Sequence, residues 1–130
     1  MAPETLRRLL GLRPGGRGEE LAARYLEGQG LAVLERNYRC RTGEIDIVAR
    51  EGDVTVFVEV KERRGPRYGA GYDAVTRGKR RRLVSAARLF AAARGLADSP
   101  LRFDVVSIDW DRGPRPAIRH DRGAFDADGR

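Results

Sequence analysis

The sequence predicts an α/β fold, a sheet with helices packed on it, and three observations carry that expectation. Apolar residues recur at three-to-four spacing in two separate stretches, residues 19–28 and 73–94. β-branched runs with a period of two lie between and after them. The resulting order is helix, three strands, helix, strand, which layers helices on a shared sheet. A length of 130 residues suits a single domain with one modest core. Residues 1–16 and 121–130 have the composition of flexible ends.

The elements follow in order. Residues 19–28 predict a helix with Leu21, Ala22, Tyr25 and Leu26 on one stripe, stopped by Gly28 and Gly30. Residues 31–36 predict the first strand, and residues 37–43 a polar connection. Glu44 to Ala49 and Val54 to Lys61 predict a hairpin around the turn Arg50-Glu51-Gly52-Asp53. In its first arm Ile45 and Ile47 are expected on one face, with Glu44, Asp46 and Val48 on the other. In its second arm Val56, Val58 and Val60 oppose Phe57, Glu59 and Lys61. Residues 62–72 are rich in Gly, Arg and Tyr and predict a loop. Residues 73–94 predict the longest helix, with Leu83, Ala87 and Phe90 on its apolar stripe, widened by Val84, Ala86 and Leu89. Residues 101–110 predict a strand, and residues 117–119 an edge strand.

Composition restricts the function classes. The net charge of +7 and a pI near 10.4 point to a polyanionic partner, here nucleic acid. Cys40 is the only cysteine, so neither a disulfide framework nor a cysteine-based zinc cluster is available. His120 is the sole histidine and falls in the C-terminal stretch, which argues against Ser-His-Asp or Cys-His chemistry and reads as surface. The glycines of residues 62–72 lack the Gly-Lys-Ser/Thr of a Walker loop. No apolar run reaches the roughly 18 residues that span a bilayer, so a cytoplasmic protein with no membrane partner is expected.

One constellation carries chemistry. If the hairpin pairs in register, Asp46 lies close to Glu59, and Lys61 neighbours Glu59 on the same face. Two carboxylates among apolar residues raise each other's pKa unless something positive sits between them. A divalent cation does this, and Mg²⁺ (or Mn²⁺) is commonly held by one or two carboxylates plus phosphate oxygens. Lys61 then orients water or neutralises charge developing on a phosphate. The bland alternative is that both acids pair with arginines on an exposed face. Lysine usage favours the chemical reading: of 26 basic residues only Lys61 and Lys79 are lysines. Arg36, Arg39 and Arg41, the basic loop opened by Arg63 and Arg64, and Lys79 are the expected contacts to nucleic-acid phosphates. Tyr38, between Arg36 and Arg39, has the chemistry to stack on a base. Asp104, among apolar neighbours, is expected to pair with an arginine.

Asp46, followed thirteen residues on by Glu59-Val60-Lys61, resembles the acid-x-lysine signature of restriction-endonuclease-like nucleases. More closely, five ordered blocks resemble the bacterial YraN-type family, itself similar to archaeal Holliday-junction resolvases. They are Gly18-Glu19 with Ala22, Arg36-Asn37-Tyr38-Arg39, Gly43-Glu44-Ile45-Asp46, Phe57-Val58-Glu59-Val60-Lys61 and Arg102-Phe103-Asp104-Val105-Val106. Ile45 stands where such nucleases often carry proline before the aspartate. The resemblance implies a restriction-endonuclease-like core, a mixed central β-sheet flanked by helices in the order αβββαβ. It implies a Mg²⁺-dependent phosphodiesterase site at Asp46, Glu59 and Lys61, with a further acid on the first helix, Glu19 or else Glu20. It implies branched or Holliday-junction-like DNA as substrate, and a homodimer wherever both strands of a junction are cut. The competing expectation is a catalytically inactive nucleic-acid-binding module of the same fold.

Overall fold

A computed structural model describes residues 16–63, 76–111 and 113–130. Two helices and five strands run in the order α1 (Gly16–Gly28), β1 (Ala32–Cys40), β2 (Gly43–Glu51), β3 (Val54–Arg63), α2 (Arg77–Ala93), β4 (Leu101–Asp109) and β5 (Ala117–Phe125). This is the expected α/β architecture with β5 added as a full strand. Spatial order follows chain order. Pairing is antiparallel except between β3 and β4, where α2 is the crossover that brings the chain back in parallel.

The sheet separates two apolar layers, each closed by one helix. Ala22, Ala23 and Leu26 of α1 pack with Ile47, Ala49, Val56, Val58, Val106 and Ile108. On the other face Leu83, Val84, Ala87 and Phe90 of α2 pack with Ile45, Val48, Phe57, Phe103, Val105 and Phe125. Phe57 and Phe103 are stacked, as are Phe103 and Phe125, while Phe90 meets Phe57 edge-on. Strong period-two alternation in β3 and β4 is what makes both layers continuous.

Three expectations change. Residues 37–40, read as connection because they are polar, continue β1, with Tyr38, Arg39 and Cys40 paired to Ile45, Glu44 and Gly43. Arg39 stands at solvent on this edge strand, while Tyr38 and Cys40 pack half-buried against the α2 layer and the backbone is laddered. Ile45 and Ile47 do not share a face: Ile45 joins the α2 layer and Ile47 the α1 layer. The alternation slips at Asp46, whose place opposite Asn37 is missing from the ladder, and Asn37 takes the left-handed conformation with φ 56°. β5 runs from Ala117 to Phe125, well beyond the expected edge strand of residues 117–119. After β5, the Asp126 carboxylate accepts the N–H groups of Asp128 and Arg130 at 2.9 and 3.0 Å. The turn so formed lies on α2, where Arg80 and Arg88 donate to the carbonyls of Gly129 and Ala127. Residues 1–15, where a flexible end is expected, lie outside the described residues.

His120, expected at the surface, is buried, its side chain 3% exposed. It belongs to a polar network that ties β5 to the sheet. Asp104, fully buried, takes a two-pronged contact from Arg102 at 2.8 and 2.9 Å, the Gly123 N–H at 3.0 Å and His120 Nε2 at 2.8 Å. Tyr25 of α1 covers the imidazole edge-on at 5.8 Å. Arg102 also reaches Glu51 at the β2 end, which in turn holds Arg122. The arginine pairing expected of Asp104 is thus present. Burial pushes the Asp104 carboxyl upward, but Arg102, the Gly123 N–H and His120 together hold it below the usual carboxylate range.

Asp104→Ala leaves Arg102 and the Gly123 N–H without this acceptor, and urea unfolding at pH 7 is expected to show a loss of about 3–5 kcal/mol. Because the Asp104 pKa is depressed on folding, its contribution is complete above the ordinary carboxylate range and disappears as pH falls through the folded value. The gap between wild type and variant should therefore narrow toward pH 3; a gap independent of pH would contradict the assignment.

Candidate active site

The site is built where the sheet forks. β2 and β3 pair from Glu51 and Val54 only as far as Ile47 and Val58. Beyond that point β2 continues to Gly43 against β1 alone, and β3 continues to Arg63 against β4 alone. Asp46 and Glu59 are the next residues on the two diverging strands, so both acids stand at the crotch. Val60 N–H, past the last paired residues, donates to Asp46 Oδ2 at 2.8 Å. A side chain here replaces the main-chain acceptor of the ladder, and the same bond fixes Asp46 toward β3. A hydrogen bond to a charged acceptor contributes about 1.5–3 kcal/mol, so the anchor is substantial.

Asp46, Glu59, Val60, Gly43 and Glu44 line one pocket of about 370 Å³, closed on its other side by Lys79, Arg82 and Leu83 of α2. Gly43 permits this approach: a Cβ there would lie 3.2 Å from the Arg82 carbonyl oxygen. Glu59 is nearly buried, its side chain 7% exposed, and Lys79 Nζ contacts its Oε1 at 2.5 Å. Burial pushes the Asp46 carboxyl up, the Glu59 and Glu19 charges push it further, and the Val60 N–H and Lys79 only partly offset them. The result is a pKa of about 7. Burial works against the Lys79 charge, yet Glu59, Asp46 and Glu44 outweigh it and raise its pKa.

The candidate residues separate into distinct placements. Asp46 and Glu59 come together as expected. Strand alternation puts Lys61 on the face of Glu59, where it is half-buried and paired in the ladder with Ser107, but it is not part of the pocket lining. Glu19, in the first turn of α1, acts on Asp46 through its charge. Glu20, the alternative acid, is engaged by Arg36 at 2.7 Å and Arg24 at 3.1 Å. Among the described residues no group of three or more acid, histidine or cysteine side chains is placed to hold a metal ion unaided. The acid set that faces the pocket is therefore a pair with Glu44 at its edge.

The basic residues divide likewise. Arg36, nominated for phosphate, pairs with Glu20 on the α1 side. Arg39 meets Glu44 at 3.3 Å with both side chains largely exposed, and Arg41 is exposed in the β1–β2 turn. Arg63 donates to Ser107 Oγ at 3.5 Å. Arg64 and residues 65–75 of the basic loop lie outside the described residues. Tyr38, considered for base stacking, instead packs edge-on against Phe90 at 5.1 Å. Sequence reasoning missed the Lys79 contact to Glu59 and the presence of Arg82. The available signal was that Lys79 follows Thr76 by three, which sets it in the first turn of a capped helix.

Asp46 carries a destabilising charge that is relieved by protonation. Its folded pKa of about 7 exceeds the ordinary 3.8, so the folded protein binds the proton more tightly. Stability from this group is complete below about pH 4 and lost as pH rises through 7. In EDTA, Asp46→Asn is accordingly expected to raise unfolding stability at pH 8 by roughly 2–4 kcal/mol, with the gain fading near pH 4. Chemical denaturation across that range checks it, and a variant less stable than wild type at pH 8 would contradict the repulsion.

Comparison with known proteins agrees with the blocks noted in the sequence. The profile of the Uncharacterised protein family UPF0102 matches residues 18–108, a span that includes Asp46, Glu59, Lys61 and Lys79. The chain is 50% identical over 111 residues to the UPF0102 protein of Rhodococcus jostii (strain RHA1), covering 85% of this chain and 94% of that one. It is 46% identical over 115 residues to that of Symbiobacterium thermophilum, covering 88% and 98%. A UPF0102 protein of Clavibacter michiganensis is 47% identical over 110 residues, covering 85% and 93%. With a family profile across most of its length and relatives aligned nearly end to end, this chain belongs to the UPF0102 (YraN-type) family.

Proposed function

We propose that the protein is a divalent-metal-dependent DNA endonuclease. The observation that carries this reading is the pair of carboxylates, Asp46 and Glu59, held at one pocket by the fork of the sheet. The donor set fits Mg²⁺ or Mn²⁺: two hard oxygen ligands in a polar cleft with room for water and a phosphate oxygen. An ion held there by Asp46 and Glu59 would supply charge that polarises a phosphodiester and lowers the pKa of water.

The chain's own groups have separable roles. The Val60 N–H holds the Asp46 carboxylate in place, and α2 keeps Glu59 nearly dry. Lys61, on the face of Glu59, supplies an ammonium to orient the attacking water or to neutralise charge on the phosphate. Arg82 in the pocket lining and Arg39 against Glu44, together with Arg41, Arg63 and Arg64, supply salt-sensitive contacts to the DNA backbone. Branched or Holliday-junction-like DNA is the substrate class favoured by the resolvase resemblance. Cutting both strands of a junction requires two copies, hence a homodimer on that substrate. No described helix is long and apolar enough to cross a membrane.

One observation favours a second reading. Glu59 is already neutralised by Lys79, as expected of a nucleic-acid-binding module that keeps the fold without turnover. Labelled branched, flap and linear DNA incubated with Mg²⁺ or Mn²⁺ separates the two. The nuclease reading expects cleavage of at least one substrate, lost by about 100-fold or more in Asp46→Asn, Glu59→Gln and Lys61→Ala. Salt-sensitive binding with no cleavage on any substrate favours the module. Cleavage that survives all three substitutions does not come from this site.

A further inference from the structure

Lys79 sits in a position that local energetics disfavour. Thr76 caps α2, its Oγ1 accepting the Lys79 N–H at 3.2 Å, so Lys79 is the third residue of the helix. A capping box places Glu or Gln there, and the helix dipole favours an acid in the first turn. The first turn of α2 contains no acid at all. What compensates is outside the helix: the Lys79 ammonium reaches across the pocket to Glu59 and makes its contact with Oε1. The lysine end lies where the acid pair needs positive charge, and its side chain is still 49% exposed, with space to leave.

We propose that Lys79 is a built-in counter-cation, whose ammonium occupies the acid pair until a divalent ion displaces it. The inference rests on the metal-dependent reading of the Asp46–Glu59 site and names the group that regulates its loading. Two ions compete for Glu59: one tethered and monovalent, the other free and divalent. A tethered competitor reduces apparent ion affinity by the fraction of time it is bound. It also spares the metal-free fold from two facing carboxylates by setting an ammonium against Glu59. Lys61, by contrast, lies outside the pocket lining.

The test measures ion binding without DNA, in the full chain. Titration calorimetry with Mn²⁺ compares wild type, Lys79→Met and Lys79→Arg, each checked by circular dichroism for an intact fold. The competitor account expects Lys79→Met to bind Mn²⁺ about tenfold more tightly, the factor that a charged hydrogen bond of this kind represents. Lys79→Arg, which keeps the charge, should stay near wild type. An unchanged or weaker affinity in Lys79→Met overturns the proposal. A wild-type measurement guards against a misfolded variant. With only two lysines in the chain, acetylation at Lys79 can be followed by mass spectrometry against an added free lysine peptide as reference. Added Mn²⁺ should raise the Lys79 rate severalfold, and an unchanged ratio overturns the proposal. Wild type that binds no Mn²⁺ at all rejects the metal-dependent reading, whereas binding that leaves Lys79 indifferent rejects only the competitor.

Discussion

Two carboxylates share one poorly solvated cleft, and the architecture around it follows from keeping them there. Left alone, such a pair is unfavourable, and the upward displacement of the Asp46 pKa to about 7 measures the tension. The chain holds it by three devices. The β2–β3 ladder ends so that a main-chain N–H binds Asp46; α2 leans on Gly43; and a tethered ammonium faces Glu59. Groups arranged against their own electrostatic preference are a common mark of functional sites, where stability is given up for chemistry.

The remainder of the fold supports this fork from both sides. On one face α1 buries the valines of β3 and carries Glu19 toward Asp46. On the other, α2 is clamped at its exposed flank by the C-terminal turn, whose carbonyls hold Arg80 and Arg88. The far end of the sheet is closed by a different polar cluster, in which Asp104 is surrounded by partners and its pKa falls. Two aspartates within one sheet thus have opposite shifts. The difference lies in the neighbours: arginine, histidine and an N–H around Asp104, two other acids around Asp46.

Much of this was legible in the sequence because β3 alternates cleanly. Val56, Val58 and Val60 against Phe57 and Glu59 indicated which face Glu59 would take, and the short Gly52-Asp53 turn sets a register whose last pair, Ile47 with Val58, leaves Asp46 and Glu59 as the next residues on the two strands. The facing of Ile45 was not legible, since it depends on one left-handed residue, Asn37, in the neighbouring strand. Residues 37–40 misled for a related reason: polarity on an edge strand looks like a loop when its backbone partners are unknown. His120 was misplaced because its burial depends on Asp104, sixteen residues earlier, and on Tyr25 of α1. The Lys79 contact joins a helix end to a strand twenty residues away, a distance that local patterns do not encode.

The central claim is that Asp46 and Glu59 together form the seat of a divalent cation, and paramagnetic Mn²⁺ reports on it directly. Amide signals of the isotope-labelled protein, followed at substoichiometric Mn²⁺, should broaden first at Asp46, Glu59 and Val60, and that selective broadening should vanish in Glu59→Gln. Broadening centred on another acidic group, such as Glu51 or the Asp126 turn, or none at any residue, would contradict the account.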